Sequence, residues 1–139
     1  MKNLAKFKVA VRTREYLVQA IFQMLFNDEN KNDIIIQFKK EHSGKKVDFE
    51  YFGRSLTEID ASKDSLLKIL HSDLGLKHSE VELVDKSILF FGINEIKNDE
   101  LPKGVVIDEC IRLSKKFSSP DSYKFINVYL DKFIKLEKG

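Results

Sequence analysis

The segment Ser119-Pro120-Asp121-Ser122-Tyr123-Lys124-Phe125-Ile126-Asn127-Val128-Tyr129-Leu130-Asp131-Lys132 decides the fold class. Ser119 has the form of a helix cap with Pro120 behind it. Beyond them Phe125, Ile126, Tyr129, Leu130, Phe133 and Ile134 recur at the intervals of one helix face turned to a core. Capping accounts for Ser119 and Asp121 but not for Lys124 or Asn127. This helix therefore carries polar groups that its own folding does not require.

The same periodicity runs back toward the amino terminus. Val106, Ile107, Cys110, Ile111 and Phe117 mark a helix opened by Pro102 and ending near Ser118. Ser79 with Glu82 has the form of a capping box, predicting a helix from there through about Lys97. In it Val81, Val84, Ile88 and Phe91 form one row and Leu89, Ile93 and Ile96 the adjoining strip, so this helix reads as the central one. A long helical stretch is predicted from Asp48 to about Ser72, bent near Asp60-Ala61-Ser62, and a short one capped by Asn32 and ending near Glu41. The first helix is expected from Arg12, with Leu17, Ala20, Ile21, Met24 and Leu25 inward, to the polar cluster Asn27-Asp28-Glu29-Asn30. Ile34-Ile35-Ile36 has strand propensity, a weak prior that neighbouring helices override. The fold class is all-α: a compact bundle of six or seven helices forming a single domain over residues 1–139, with a basic arm (1–11) ahead of a helical body (12–136).

Composition narrows the function. The chain has 139 residues, 42% hydrophobic and 33% charged, the balance of a globular domain. It contains no run of eighteen apolar residues, and its start lacks the apolar stretch and cleavage site of a secretory signal, so no membrane role and a cytoplasmic location are expected. The single cysteine, Cys110, falls in an apolar helical pattern and reads as core filler. His42, His71 and His78 show no metal-ligand spacing, so no metal site is expected. No phosphate-cradling glycine loop, nucleophile turn or helical His-Glu-x-x-His is present, and the adjacent pair Asp108 and Glu109 diverges on a helix. Neither an enzyme nor a cofactor is expected.

Binding is the remaining class, and three features suggest it. The net charge is only +2, but Lys2, Lys6, Lys8, Arg12 and Arg14 precede the first acid, where they could meet phosphates. Val18, Phe22 and Phe26 form a second apolar row on the first helix, offset from its core row, suited either to the edge of a broad core or to a partner protein. The last helix opens with Asp121, Ser122 and Lys124 beside Phe125, and a helix start offers free amides to phosphates or base edges.

These residues carry a family resemblance. Asp121 to Lys132 resembles the closing signature of the NusB family, D-S-x-K/R-F-V-N-G-V-L-D. Val106-Ile107-Asp108-Glu109-Cys110-Ile111-Arg112-Leu113-Ser114-Lys115-Lys116-Phe117 resembles the helix that precedes it. Asp85-Lys86-Ser87-Ile88-Leu89 with Glu95 is similar to the central helix, and Arg12-Thr13-Arg14-Glu15 with Gln19-Ala20 to the opening. The resemblance implies a small all-helical transcription antitermination factor. It would bind the boxA element of nascent RNA together with NusE, a ribosomal small-subunit protein, in a complex with RNA polymerase, in ribosomal RNA transcription. Carried over by position, it implies RNA-binding roles for Arg12, Arg14, Asp121, Ser122, Lys124 and Phe125, and NusE contacts for Phe22, Phe26 and Asp85.

Departures from the family pattern set further expectations. Ala10 and Val11 stand where arginines are common, so Lys6 and Lys8 are expected to supply that charge. Phe90 replaces a frequent arginine and is expected to alter the partner surface; Val128 replaces a glycine and is expected to change helix packing. Some family members form homodimers covering the basic helix, and the aromatic row motivates the same expectation here. Two rival readings remain. One is the helical domain of a ribosomal RNA cytosine methyltransferase, which would need a cofactor-binding domain after residue 139; the other is a protein-interaction module without RNA affinity.

Overall fold

Apolar residues three and four apart, with both prolines outside the helical stretches, wind the chain into seven α-helices among the described residues. The computed structural model describes residues 2–138 and places α1 at Lys2–Asn27, α2 at Lys31–Glu41, α3 at Phe49–Ala61 and α4 at Lys63–Lys68. A π turn (Ile69–Asp73) and a 3-10 turn (His78–Glu80) lead to α5 (Leu83–Asn98), α6 (Lys103–Phe117) and α7 (Ser122–Lys138). No strand occurs among the described residues, as expected for an all-α chain. The chain divides into two compact units, Met1–Asp60 and Ala61–Gly139.

In the first unit α1 packs against α2. It begins ten residues before the expected start at Arg12, so Lys6 and Lys8 lie on a helix rather than in an arm. The reason is local: the opening segment has no glycine or proline and is rich in Lys, Ala and Leu, all good helix formers. Asn30, not Asn32, caps α2, its side chain accepting the Asn32 N–H at 2.8 Å. Asp48 caps α3 by accepting the Tyr51 N–H at 3.0 Å. Thr13, fully buried on α1, donates to the Val9 carbonyl at 2.7 Å and accepts the Asp48 N–H at 3.0 Å, tying the start of α3 to α1. Aromatic rings run from half-exposed to buried positions: Tyr16 stacks on His42 at 4.1 Å, Phe38 lies 5.6 Å from His42, and Phe52 lies 5.3 Å from Phe38.

The second unit is built on α5, α6 and α7, each packed on the other two. Every residue of α5 from Ser87 to Ile96 is buried, in agreement with its reading as the central helix. Gly92 sets the spacing: a Cβ there would lie 2.8 Å from Cys110 Sγ on α6 and 3.0 Å from Leu130 Cδ2 on α7. Cys110 is buried, as core filler should be.

Several local expectations are corrected here. The stretch from Asp48 bends where expected, breaking at Ser62 with φ −103° and ψ 14°, but it closes in a π turn rather than as a regular helix. The Ser79–Glu82 capping box does not form: Ser79 lies in the 3-10 turn, and Glu82 precedes α5 without a side-chain capping bond. Val81 between them is extended and buried, so apolar burial of this one side chain takes precedence over continuing the helix. Helix α7 starts at Ser122 after a turn in which the Ser122 N–H donates to the Ser119 carbonyl at 3.0 Å. Phe90 is 0% exposed and so contributes core packing instead of altering a partner surface. Val128 is 48% exposed, which removes the expected change in packing; the close helix approach depends on Gly92.

Candidate nucleic-acid interface

Helical geometry sorts the basic residues of α1. Lys8 and Arg12 are four apart and share a row, whereas Lys6 and Arg14 project elsewhere around the helix. Lys6 and Lys8 are exposed, while Arg12 and Arg14 are half-buried. Arg12 already has one commitment, since its Nη1 donates to the Lys46 carbonyl at 3.0 Å and pins the loop between α2 and α3. All of these groups belong to the first unit.

The α7 candidates belong to the second unit. Asp121 and Lys124 lie 3.7 Å apart on strongly exposed side chains, a pairing that water screens and that leaves both available. Ser122 and Phe125 are half-buried. The Lys115 ammonium lies 4.7 Å from the centre of the Tyr123 ring and the Lys124 ammonium 5.9 Å from it. One turn on, Phe125 and Tyr129 meet at 4.9 Å with their planes tilted by 50°, and the Lys132 ammonium stands 4.7 Å over Tyr129. Phe125, Tyr129 and Lys132 share one rim of α7, while Tyr123 projects about 160° away and meets Lys115 and Lys124 instead; each cluster pairs half-exposed rings with lysines, able to hold phosphates by charge and unpaired bases by stacking.

Tyr129 and Lys132 were missed as candidates from sequence because the helical period places Tyr129 on the core face. The burial pattern separates that face into Ile126, Leu130, Phe133 and Ile134 inside, with Phe125 and Tyr129 at its rim. A tyrosine within a row otherwise free of polar atoms was the available signal, because its hydroxyl favours a wet edge.

The partner candidates divide. Phe22 and Phe26 stack with centroids 5.7 Å apart and planes 8° from parallel, and Phe26 is 68% exposed. Val18, in the same row, is buried, so the row passes from core to surface along the helix. Leu4 and Phe7, in the segment expected to be an arm, are also exposed apolar residues on α1. Asp85 is only 6% exposed, and its Oδ1 accepts the Ser118 hydroxyl at 2.6 Å, fastening the start of α5 to the end of α6.

Among the described residues no group of three or more His, Cys, Asp and Glu is arranged to hold a metal, and no helix is long and apolar enough to cross a membrane. The His71 and His78 rings lie with centroids 3.5 Å apart and planes tilted by 31°, and His71 Nδ1 hydrogen-bonds the Leu76 carbonyl at 2.6 Å. The charge of His71 first, then loss of hydration, then Lys86 hold His78 below the usual histidine range.

Comparison with known proteins matches residues 11–135 to the NusB family. The transcription antitermination protein NusB of Aeromonas salmonicida is 38% identical over 125 residues, 89% of this chain and 91% of that protein. Those of Psychromonas ingrahamii and Colwellia psychrerythraea are 35% and 32% identical, over 89% and 90% of this chain and 86% and 91% of theirs.

Proposed function

The chain belongs to the NusB family of transcription antitermination proteins, a regulatory and non-enzymatic family, and on that premise we propose that it binds boxA-type RNA with NusE beside RNA polymerase. The proposed setting is ribosomal RNA transcription in the cytoplasm. The observation carrying the RNA reading is the rim of α7 where the half-exposed rings of Phe125 and Tyr129 meet and the Lys132 ammonium stands over Tyr129. Phe125 stacks on an unpaired base, Lys124 meets phosphate, and Asp121 accepts a base hydrogen bond while Ser122 lies at the helix start. Lys6, Lys8, Arg12 and Arg14 on α1 add phosphate contacts. Each stacked base contributes about 1–3 kcal/mol, so useful affinity calls for the second protein.

For NusE, the Phe22–Phe26 stack, half-buried at Phe22 and exposed at Phe26, is the proposed apolar anchor. Asp85, buried and hydrogen-bonded by Ser118, would serve partner binding only indirectly, by holding the start of α5 to the end of α6. The homodimer is a further proposal, through the apolar row of α1 where it surfaces at Phe26; light scattering that shows only monomer at high concentration removes it.

Fluorescence titration of a short boxA RNA, with the protein alone and with NusE at several salt concentrations, tests the RNA reading. Binding that tightens with NusE and weakens with salt is expected, and Phe125→Ala should lose about tenfold, equivalent to about 1.4 kcal/mol within the stacking range. No binding in either titration overturns the reading.

A further inference from the structure

We propose that the loop between α2 and α3 is an additional phosphate-binding segment for single-stranded RNA, with Lys45 and Lys46 as its ligands. The inference rests on the RNA reading above and adds a chain segment that neither the α1 row nor α7 supplies.

The loop is held against the basic helix at defined points. Arg12 Nη1 grips the Lys46 carbonyl at 3.0 Å, and Thr13 Oγ1 receives the Asp48 N–H at 3.0 Å, so the backbone at 46 and 48 is fixed to one turn of α1. At its other end His42 stacks on Tyr16 at 4.1 Å. Tyr16 is four residues beyond Arg12, which is four beyond Lys8, so Lys8, Arg12 and Tyr16 form one helical row with the loop anchored alongside it. Immobilising the backbone in advance lowers the entropy lost when a ligand binds.

The loop is also chemically prepared for an anion. His42-Ser43-Gly44-Lys45-Lys46-Val47 contains no acid, and both lysine side chains are exposed with no acidic partner among the described residues. The nearest acid along the chain, Asp48, turns its Oδ1 to the Tyr51 N–H and pairs with neither lysine. A Cβ at Gly44 would meet nothing within 4 Å, so the crest of the loop is open to an approaching strand. Arg12 cross-braces this surface while keeping its own charge there. The arrangement restores cations beside α1 where Ala10 and Val11 leave few along it.

The test is a salt titration of the boxA RNA with the full chain and NusE, comparing wild type with Lys45→Gln/Lys46→Gln. Two lost phosphate contacts should lower the magnitude of the log–log salt slope by about 1.4, at about 0.7 per contact on a single strand. A second variant, Lys97→Gln/Lys103→Gln, changes net charge equally and should leave the slope as it was; an equal loss there overturns the proposal by reducing it to overall charge. Wild-type binding with an unchanged slope in the loop variant overturns the loop proposal and spares the RNA reading. Absence of wild-type binding overturns both. Circular dichroism confirms that the glutamine variants retain the helical fold.

Discussion

Both units have buried apolar cores, but different contacts set the position of their central helices. In the second, α5 is enclosed by α6 and α7 at a distance that leaves no room for a Cβ at Gly92, and cohesion comes from close apolar packing. In the first, α1 is joined to the chain around it by directional bonds, Thr13 to Asp48 and Arg12 to the Lys46 carbonyl, together with a run of aromatic rings. A close helix approach resists added volume; a hydrogen-bonded junction resists loss of a partner atom. The proposed RNA groups follow this division, rim aromatics with lysines on α7 and cations with a pinned loop on α1.

The largest expected effect breaks the packing. Gly92→Val should destabilise the protein by about 3 kcal/mol in urea denaturation, because its branched carbon enters space occupied by Cys110 and Leu130. Adding Cys110→Ala should return part of that loss. Thr13→Val tests the other region: it keeps the shape but leaves the Asp48 N–H without its acceptor, at a cost of about 2 kcal/mol. Hydrogen exchange should report faster exchange near Asp48 in this variant and near Gly92 in the first. If both variants loosen the same amides, the contrast between the units fails.

Two smaller effects sharpen it. Asp99 closes α5 at φ +55°, a left-handed geometry that glycine adopts without strain, so Asp99→Gly should raise stability by about 0.5 kcal/mol. The smallest effect is acid dependence from His78. Its folded value is lowered by His71, lost hydration and Lys86, so the unfolded chain binds the proton more readily. Stability from this group is complete above the ordinary histidine value of about 6.5 and is lost as pH falls through the lowered folded value. Denaturation at about pH 7.5 and about pH 5 should show a smaller acid loss in His78→Gln than in wild type. An equal loss removes His78 as the cause.

How much of this was legible in the sequence follows from the range of each interaction. The helices of α5, α6 and α7 were readable because apolar periodicity is local and strong, and the Pro102 start was readable because proline restricts its own backbone. The capping box at Ser79 misled because the buried Val81 outweighed a local hydroxyl. Arg12 and Lys124 could be named as cations, but their surroundings could not. That Arg12 reaches Lys46 across a gap of 34 positions depends on how α2 returns the chain to α1.

The sequence by itself determined the all-α class, the positions of most helices and the family, since these rest on residue type and spacing along the chain. Only the tertiary structure decided that Gly92 rather than position 128 sets the helix approach, that Asp85 is spent on Ser118, and that Lys45 and Lys46 stand beside α1. Those outcomes depend on which distant groups meet after packing, and burial and hydrogen-bond satisfaction are properties of the folded chain that no local pattern encodes.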